Sequence, residues 1–480
     1  DLAGRRTALT DPAGGVTRFA YDALGRMTNF IDAAGSSTLF VYDSRDNIGE
    51  IVDAEGASHL FAYDMNDRLV SRTLPLGQVY SNVYDAAGQL VEAFDPVLRR
   101  RAFGYDLAGR LTNISYYAAS DYAVPERSVD FFRNGAGQVT GWDDGTYAGA
   151  FEYDLAGNLV AEHVDYGAFA LTNTYTYGAG DLRLSVTGAD GVTLSYGYNE
   201  GGQLSEVAFP GQGAVTFNQY TWLRPSRVTW PGGTTRAVTY DGHLRPLAIE
   251  DRDAAGNVLT DRSYTLDLLA NPVTVEEDGQ VSEFGYDALS RILGVGRPAG
   301  QDEAFTYDRV GNRTSSANGP GAWTNDANRR VVQAGDITLA YNDAGELTQR
   351  TVGGVVTKYV YDSAGRLAEL RDASDALIAR YAYDGFGRRL RKEAGGTVTY
   401  FFPTRDGLGG EYNAAGQPLR TYGYLPVTVE SPVTQPIYQR EGGAFYYYLN
   451  DHQGLPQALV DINGATVWRA SYDAFGSATV

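Results

Sequence analysis

The sequence predicts an all-β repeat protein, built from hairpins of about 21 residues laid side by side in one continuous sheet. Three observations carry that expectation. Tyr21, Tyr42, Tyr63, Tyr84 and Tyr105 are each followed by Asp, and every gap between them is 21 residues. The residues before each Tyr alternate in polarity, as in "TLFVY" and "VTKYVY", which is the period of a strand. The composition, with 58 Gly, 35 Tyr and 19 Phe against 2 Met in 480 residues, favours short strands and tight turns over helices.

The recurring text is Tyr-Asp-x-x-Gly-[Arg/Gln/Asn]-Leu, and each position has a local physical reading. Good copies are Tyr21-Asp22 with Gly25, Tyr84-Asp85 with Gly88, Tyr105-Asp106 with Gly109, Tyr153-Asp154 with Gly157, and Tyr361-Asp362 with Gly365. The Asp carboxylate accepts hydrogen bonds from backbone N–H groups two or three residues on and closes a turn. Gly supplies the positive φ that the turn needs. The residues after it restart a strand, one side chain on each face. Midway through each unit a second turn appears, "DAAG" at 32–35, "DAEG" at 53–56 and "PLG" at 75–77. Two turns and two strands of ~6 residues fill such a unit.

The anchors continue through Phe132, Tyr153, Tyr177, Tyr198, Tyr220, Tyr240, Tyr264, Tyr286, Tyr307, Trp323, Tyr341, Tyr361 and Tyr383. Segments 112–131 and 313–322 read as longer loops between hairpins. One hairpin cannot bury its apolar face alone, so neighbours must stack, and rings at one phase would form a ladder along the sheet. A sheet of this length must twist and curl, and curling encloses space.

Several function classes lose support at this level. The net charge of −20 argues against nucleic acid as a partner of the body. The basic clusters "RRR" at 99–101 and "RRLRK" at 388–392 read as solvated or ion-paired. With no Cys there is neither a disulfide nor a thiolate site, which is compatible with export. There is no run of 18 apolar residues, so no membrane span is expected. The chain opens "DLAGR", as if in mid-motif, so the lack of a signal peptide carries little information. The many Asp invite a paired-carboxylate hydrolase, yet they sit at turn phases. "DRDAAGN" at 251–257 faintly resembles a calcium loop, but Arg262 stands where a bidentate Glu belongs. His59, His163, His243 and His452 lack ligand spacing. No nucleophile elbow, Walker loop or dinucleotide fingerprint is present, so no cofactor is expected. The sequons at Asn113 and Asn312 would mean little if the source were bacterial, and "FYYY" at 445–448 reads as a packed strand rather than a stacking platform.

The repeat resembles the YD repeats of the RHS family, which includes Tc toxin C components and teneurins. The C-terminal stretch 446–476 resembles the start of the RHS-associated core segment, on Asp451, His452 and Gly454 and on Val467 to Gly476 with Trp468, Arg469, Tyr472 and Asp473. His452 is expected in a fixed turn with its imidazole hydrogen-bonded, rather than in catalysis.

The resemblance implies a spiralling β-strip that forms a hollow shell or part of one, over residues 1–440, with 441–480 opening a C-terminal plug. It implies a toxin or effector polypeptide held inside, and an aspartyl self-cleavage whose residues would lie beyond Val480. On this basis the chain is expected to be a non-catalytic, secreted or cell-surface bacterial container. The alternatives are an extracellular adhesin or carbohydrate- or protein-binding protein on the same scaffold, and an enzyme for which no site is found.

Overall fold

The computed structural model describes residues 1–298, 300, 302–316, 321–426 and 435–480. Among these, 46 strands and two single-turn 3-10 helices make up the regular structure, without an α-helix. Forty-four strands belong to one antiparallel sheet, and Ser471–Tyr472 pairs with Ala478–Thr479 in a separate two-stranded ribbon. The all-β expectation holds.

One unit shows how the residues build it. Strand Val16–Tyr21 turns through Asp22 to Gly25, returns as Met27–Ile31, turns again at Asp32 to Gly35, and continues as Ser37–Tyr42. In both turns the backbone closes twice: Asp22 N–H donates to Arg26 O (3.0 Å) and Gly25 N–H to Asp22 O (3.1 Å). Gly25 has φ +86°, a region that costs a side-chain-bearing residue strain. The ladder shifts register between Ala20 and Tyr21, so that Tyr21 faces Met27 across a bulge.

Three anchors lie one or two residues from the Tyr place, two of them beside such a bulge. Phe132 is paired with Gly141 before the shift and is 53% exposed, whereas Arg133, opposite Val139, takes the Tyr place ahead of the turn at Asn134. Asn325, opposite Val331, takes it in place of Trp323, ahead of the turn at Asp326. Leu266, just ahead of the turn at Asp267, takes it in place of Tyr264. An aromatic residue at the right distance does not mark the phase; the residue that closes the turn does.

The two expected loops are largely strand. Leu111–Tyr117 and Arg127–Arg133 leave only 118–126 as connection. Arg313–Ser316 pairs with Gly321–Asn325, and residues 317–320 of that reading lie outside the described residues.

Contacts divide the chain into two compact units. The first comprises Asp1–Ser128, Leu266–Thr274 and Ser282–Ile378. In it, turns of early hairpins meet turns of hairpins roughly 250 residues later. Arg329 grips the Asp53 carboxylate at 2.5 and 2.8 Å, Tyr80 Oη donates to Ala344 O (3.1 Å), and Arg99 reaches Glu346 Oε1 (2.6 Å) and Asp362 O (3.0 Å). Most strand residues of this unit's first hairpins are half-buried, with Leu39, Val41 and Leu60 exposed on one face.

The second unit comprises Val129–Thr265, Val275–Val281 and Ala379–Val480. It holds a deep core in which Trp142, Phe402, Tyr412 and Tyr447 are almost wholly buried, and Phe209 meets Tyr447 edge-on at 5.2 Å. Distant hairpins meet here as well. Tyr166 Oη donates to Phe401 O (2.6 Å), and Arg183 forms a buried two-pronged pair with Asp406 (2.5 and 2.9 Å). At Gly232 the backbones come so close that a Cβ would sit 2.2 Å from Ile462 O, so glycine is required.

Candidate functional site

The repeated turn is the most consistent chemical arrangement in the chain. Asp22 Oδ1 accepts from Leu24 N–H and Arg26 N–H, both at 3.0 Å, so the second bond comes from four residues on rather than three. Asp106 and Asp154 repeat both contacts, and Asp85 accepts from Gln89 N–H (2.8 Å). The second carboxylate oxygen serves the side chain after Gly: Arg26 Nε lies 2.7 Å from Asp22 Oδ2, and Asn158 Nδ2 lies 3.1 Å from Asp154 Oδ2. These donors act on the acid. The Arg110 N–H, opposed by burial and joined by the Arg110 side chain, holds Asp106 below the ordinary carboxylate value, and the same set on Asp241 lowers it to about 2. Acids held this firmly ionised make poor general acids near neutral pH.

Asp362 departs from this pattern. Its Oδ1 accepts from Ala364 N–H (3.0 Å) and Arg366 N–H (2.8 Å), and Arg366 grips Oδ2. Burial nevertheless pushes it up to about 6, against the Ala364 N–H and the Arg127 and Arg99 charges. The Glu346 charge adds to the rise.

Each repeat Tyr works across hairpins. Tyr21 Oη donates to Arg6 O (2.9 Å), Tyr84 to Leu69 O (3.0 Å), Tyr105 to Leu90 O (2.8 Å), Tyr153 to Val139 O (3.0 Å) and Tyr361 to Leu347 O (3.0 Å). For Tyr84 to Tyr153 and Tyr361, the accepting residue faces the Tyr-place residue of the preceding hairpin across its bulge, as Leu69 faces Tyr63. The expected ladder of stacked rings takes a different form. Among the described residues no ring-to-ring contact joins Tyr21, Tyr42, Tyr63, Tyr84 and Tyr105; guanidinium groups lie over several of these rings instead. Arg68 binds Asp64 Oδ2 (2.7 Å), donates to Asp85 O (2.9 Å) and lies 4.8 Å from the centre of the Tyr84 ring. Arg5 and Arg26, each just after a turn Gly, lie over Tyr21 and Tyr42 in the same way, and Arg68 follows Asp67, which holds the Gly place in its turn.

The C-terminal motif reuses the same turn. Asp451 Oδ1 accepts from Gln453 and Leu455 N–H (2.9 Å each), with Gly454 at φ +83°. Asp473 Oδ1 accepts from Phe475 (3.0 Å) and Ser477 (2.7 Å), with Gly476 at φ +82°, and Tyr472 Oη donates to Pro456 O (2.6 Å). Trp468 faces Leu459 across the ladder, and Arg469 pairs with Asp278 (3.1 Å) and donates to Leu259 O. His452 sits in the turn that Asp451 closes, and no hydrogen bond to its imidazole is found among the described residues. Its ring lies 4.4 Å from that of Tyr264, and the neighbouring Asp451 carboxylate is occupied by backbone N–H groups and by Arg262 and Gln457.

Around Asp451 the fold gathers residues that the repeat pattern did not mark. Arg262 joins Asp451 (3.4 Å), Glu277 (2.6 Å) and Gln457 (2.6 Å), while Arg236 clasps Asp251 at 2.8 and 2.8 Å. Arg262 thus bridges strands where a calcium ligand would stand, and among the described residues no cluster of three or more His, Asp or Glu suits a metal. A second such group surrounds Glu162, which is 2% exposed, accepts from Tyr175 Oη and Arg405 N–H, and is pushed up to about 7 by burial. The one sequence signal was a Glu in the inward register of a strand. The basic clusters are largely paired: Arg99 with Asp95, Arg100 with Glu92, Arg388 with Asp384 and Arg391 with Glu393.

Comparison with known proteins places this geometry. A family profile described as Teneurin YD-shell matches residues 266–480, and one described as RHS Repeat matches 1–31, 63–96 and 84–119. The chain is 27% identical over 315 residues to a tRNA3(Ser)-specific nuclease WapA of Bacillus spizizenii, covering 64% of this chain and 12% of that protein. It is 25% identical over 361 residues to double-stranded DNA deaminase toxin A of Burkholderia cenocepacia, covering 68% and 25%. It therefore spans no more than a quarter of the length of either. A chain in the structure of the Photorhabdus luminescens Tc holotoxin pore superimposes with a TM-score of 0.79 at 16% identity, over 98% of this chain and 28% of that one, a likeness of fold.

Proposed function

This chain belongs to the RHS/YD-repeat family, and from that premise we propose that it is a wall segment of a hollow, secreted or cell-surface bacterial shell that encloses and delivers a C-terminal toxin or effector. The observation that carries the reading is the docking of distant hairpins within each unit. Arg329 on Asp53, Arg99 on Glu346 and Arg183 on Asp406 are the contacts expected of a strip that winds back upon itself. The relatives named as a nuclease and a deaminase toxin are far longer than this chain, which leaves ample polypeptide for an enclosed cargo. In this reading the hairpins are non-catalytic, because their aspartates close turns. In this reading residues 441–480 open the core segment.

The test is protease protection of whatever polypeptide follows this chain in its full-length gene product. Trypsin should spare that polypeptide in the intact protein and degrade it once Arg99→Met and Arg329→Met loosen the docked hairpins. Equal digestion in both would sink the container reading.

The Teneurin YD-shell match over 266–480 favours a second reading, an extracellular interaction protein on the same scaffold. Specific capture of a glycan or ectodomain by this chain, with no protection of the following polypeptide, would select it.

A further inference from the structure

The first unit docks its own hairpins in one sense, and that leaves two of its rims bare. Its hairpins turn at both ends, with the Tyr-Asp turn at one and the turn midway through the repeat at the other. Where distant hairpins meet, midway turns of an earlier row lie on Tyr-Asp-type turns of a later row. Glu55 Oε1 accepts from Arg309 N–H (3.0 Å), Asn328 Oδ1 accepts from Leu76 N–H (3.1 Å), and Arg99 donates to Asp362 O (3.0 Å). The order is kept, so later turns of the first row lie on later turns of the second.

Among the described residues, the Tyr-Asp turns of the first row carry no such cover. Residues 23–25, 65–67, 86–88 and 107–109 are exposed, whereas 327–329 and 363–365, at the same places in covered turns, are half-buried or buried. The bare tips are apolar: Leu24 is 74% exposed, Met65 88%, and Leu107 wholly so. With strands ~4.8 Å apart, successive turns on this rim stand about 10 Å apart, so the row from Leu24 to Leu107 runs roughly 40 Å.

The opposite rim, formed by midway turns of the later row, is bare as well. Residues 353–355 and 373–378 are exposed, and Val355, Leu377 and Ile378 give this rim apolar surface of its own. Charge does not keep the two rims apart, because the acids at their tips are matched: Asp46 with Arg26, Asp67 with Arg45, and Asp375 with Lys358. Apolar side chains gathered along an exposed rim mark a contact surface. We propose that these rims bind each other between copies: the Tyr-Asp rim of one chain docks the midway rim of a second, head to tail. The contact continues the docking that the unit already makes between its own two rows. It is heterologous, so each bound copy keeps one free rim and assembly can extend. It does not depend on what the shell encloses.

The test is sedimentation velocity of the full chain over a concentration series, at about 0.15 M salt so that the net charge of −20 is screened. Dimers and longer species should grow with concentration. Leu24→Lys with Met65→Lys blocks one rim, and Val355→Lys with Leu377→Lys blocks the other. All four side chains are exposed, so circular dichroism should be that of the parent. Each double variant alone should sediment as a monomer. Mixed, the two should pair one to one through their intact rims and grow no further, which a symmetric contact would not do. A parent chain that stays monomeric throughout the series leaves the rim to some other polypeptide and overturns the proposal. Assembly sustained by either double variant alone, or a mixture that fails to pair, overturns it as well.

Discussion

Tyr42 Oη lies 2.7 Å from the carbonyl oxygen of Met27, the residue that faces Tyr21 across the bulge of the preceding hairpin. A bulge leaves a ladder group without its usual partner, and the next Tyr supplies one. Each Tyr is therefore tied to the irregularity one hairpin back, which couples neighbouring repeats as a ladder of stacked rings would not.

This coupling separates ring from hydroxyl at Tyr84. Tyr84→Phe, which removes only the bond to Leu69 O, should cost about 1 kcal/mol. Tyr84→Ala, which also removes the half-buried ring under Arg68, should cost about 2–3 kcal/mol. Urea unfolding read alongside amide exchange in 69–94 tests both, and a Tyr84→Phe variant as stable as the parent would dismiss the hydroxyl's role.

The turn makes a different demand. Gly88 has φ +87°, while Asp46 and Asp67 hold the same place in their own turns at φ +71° and +61°. Gly88→Ala should therefore destabilise by about 1 kcal/mol or more, and Gly88→Asn by clearly less. Equal losses from the two would show that the backbone conformation is not the cause.

Docked hairpins depend on charge pairs that are mostly out of water. Arg99, 12% exposed at its side chain, serves Asp95 and Glu346 together. Arg99→Met should cost about 3 kcal/mol, because it strands carboxylates rather than merely deleting a contact. Adding Glu346→Gln should recover part of that loss, and a thermodynamic cycle on the two variants measures how much.

Glu162 carries the pH dependence of the second unit. Its carboxyl is pushed from 4.5 up to about 7, so the folded state holds a proton that the unfolded chain releases. Its contribution is complete below pH ~4.5 and is lost as pH rises through ~7, by up to about 3 kcal/mol. Glu162→Gln should remove that slope and be more stable than the parent at pH 8. An unchanged pH profile would refute the assignment.

Particular residues show how far the sequence could be read. Tyr21, Asp22 and Gly25 disclosed hairpin, turn and positive φ, because those depend on residues within a few positions of one another. Phe132 and Trp323 misled, because a bulge moves the phase by one or two residues without changing the spacing of aromatics, and Tyr264 lies two residues short of the Tyr place at Leu266. Arg262 was visible as a departure from a calcium loop, but its partners Glu277, Asp451 and Gln457 were not.

The sequence by itself determined the hairpin, its length and the chemistry of its turns, since each is settled by hydrogen bonds and sterics spanning about four residues. Tertiary packing settled which hairpins dock on which and where Arg329, Arg99 and Arg183 find their acids. Those partners lie 223 to 276 residues apart, and their meeting depends on twist accumulated over many strands, a quantity that no local motif encodes.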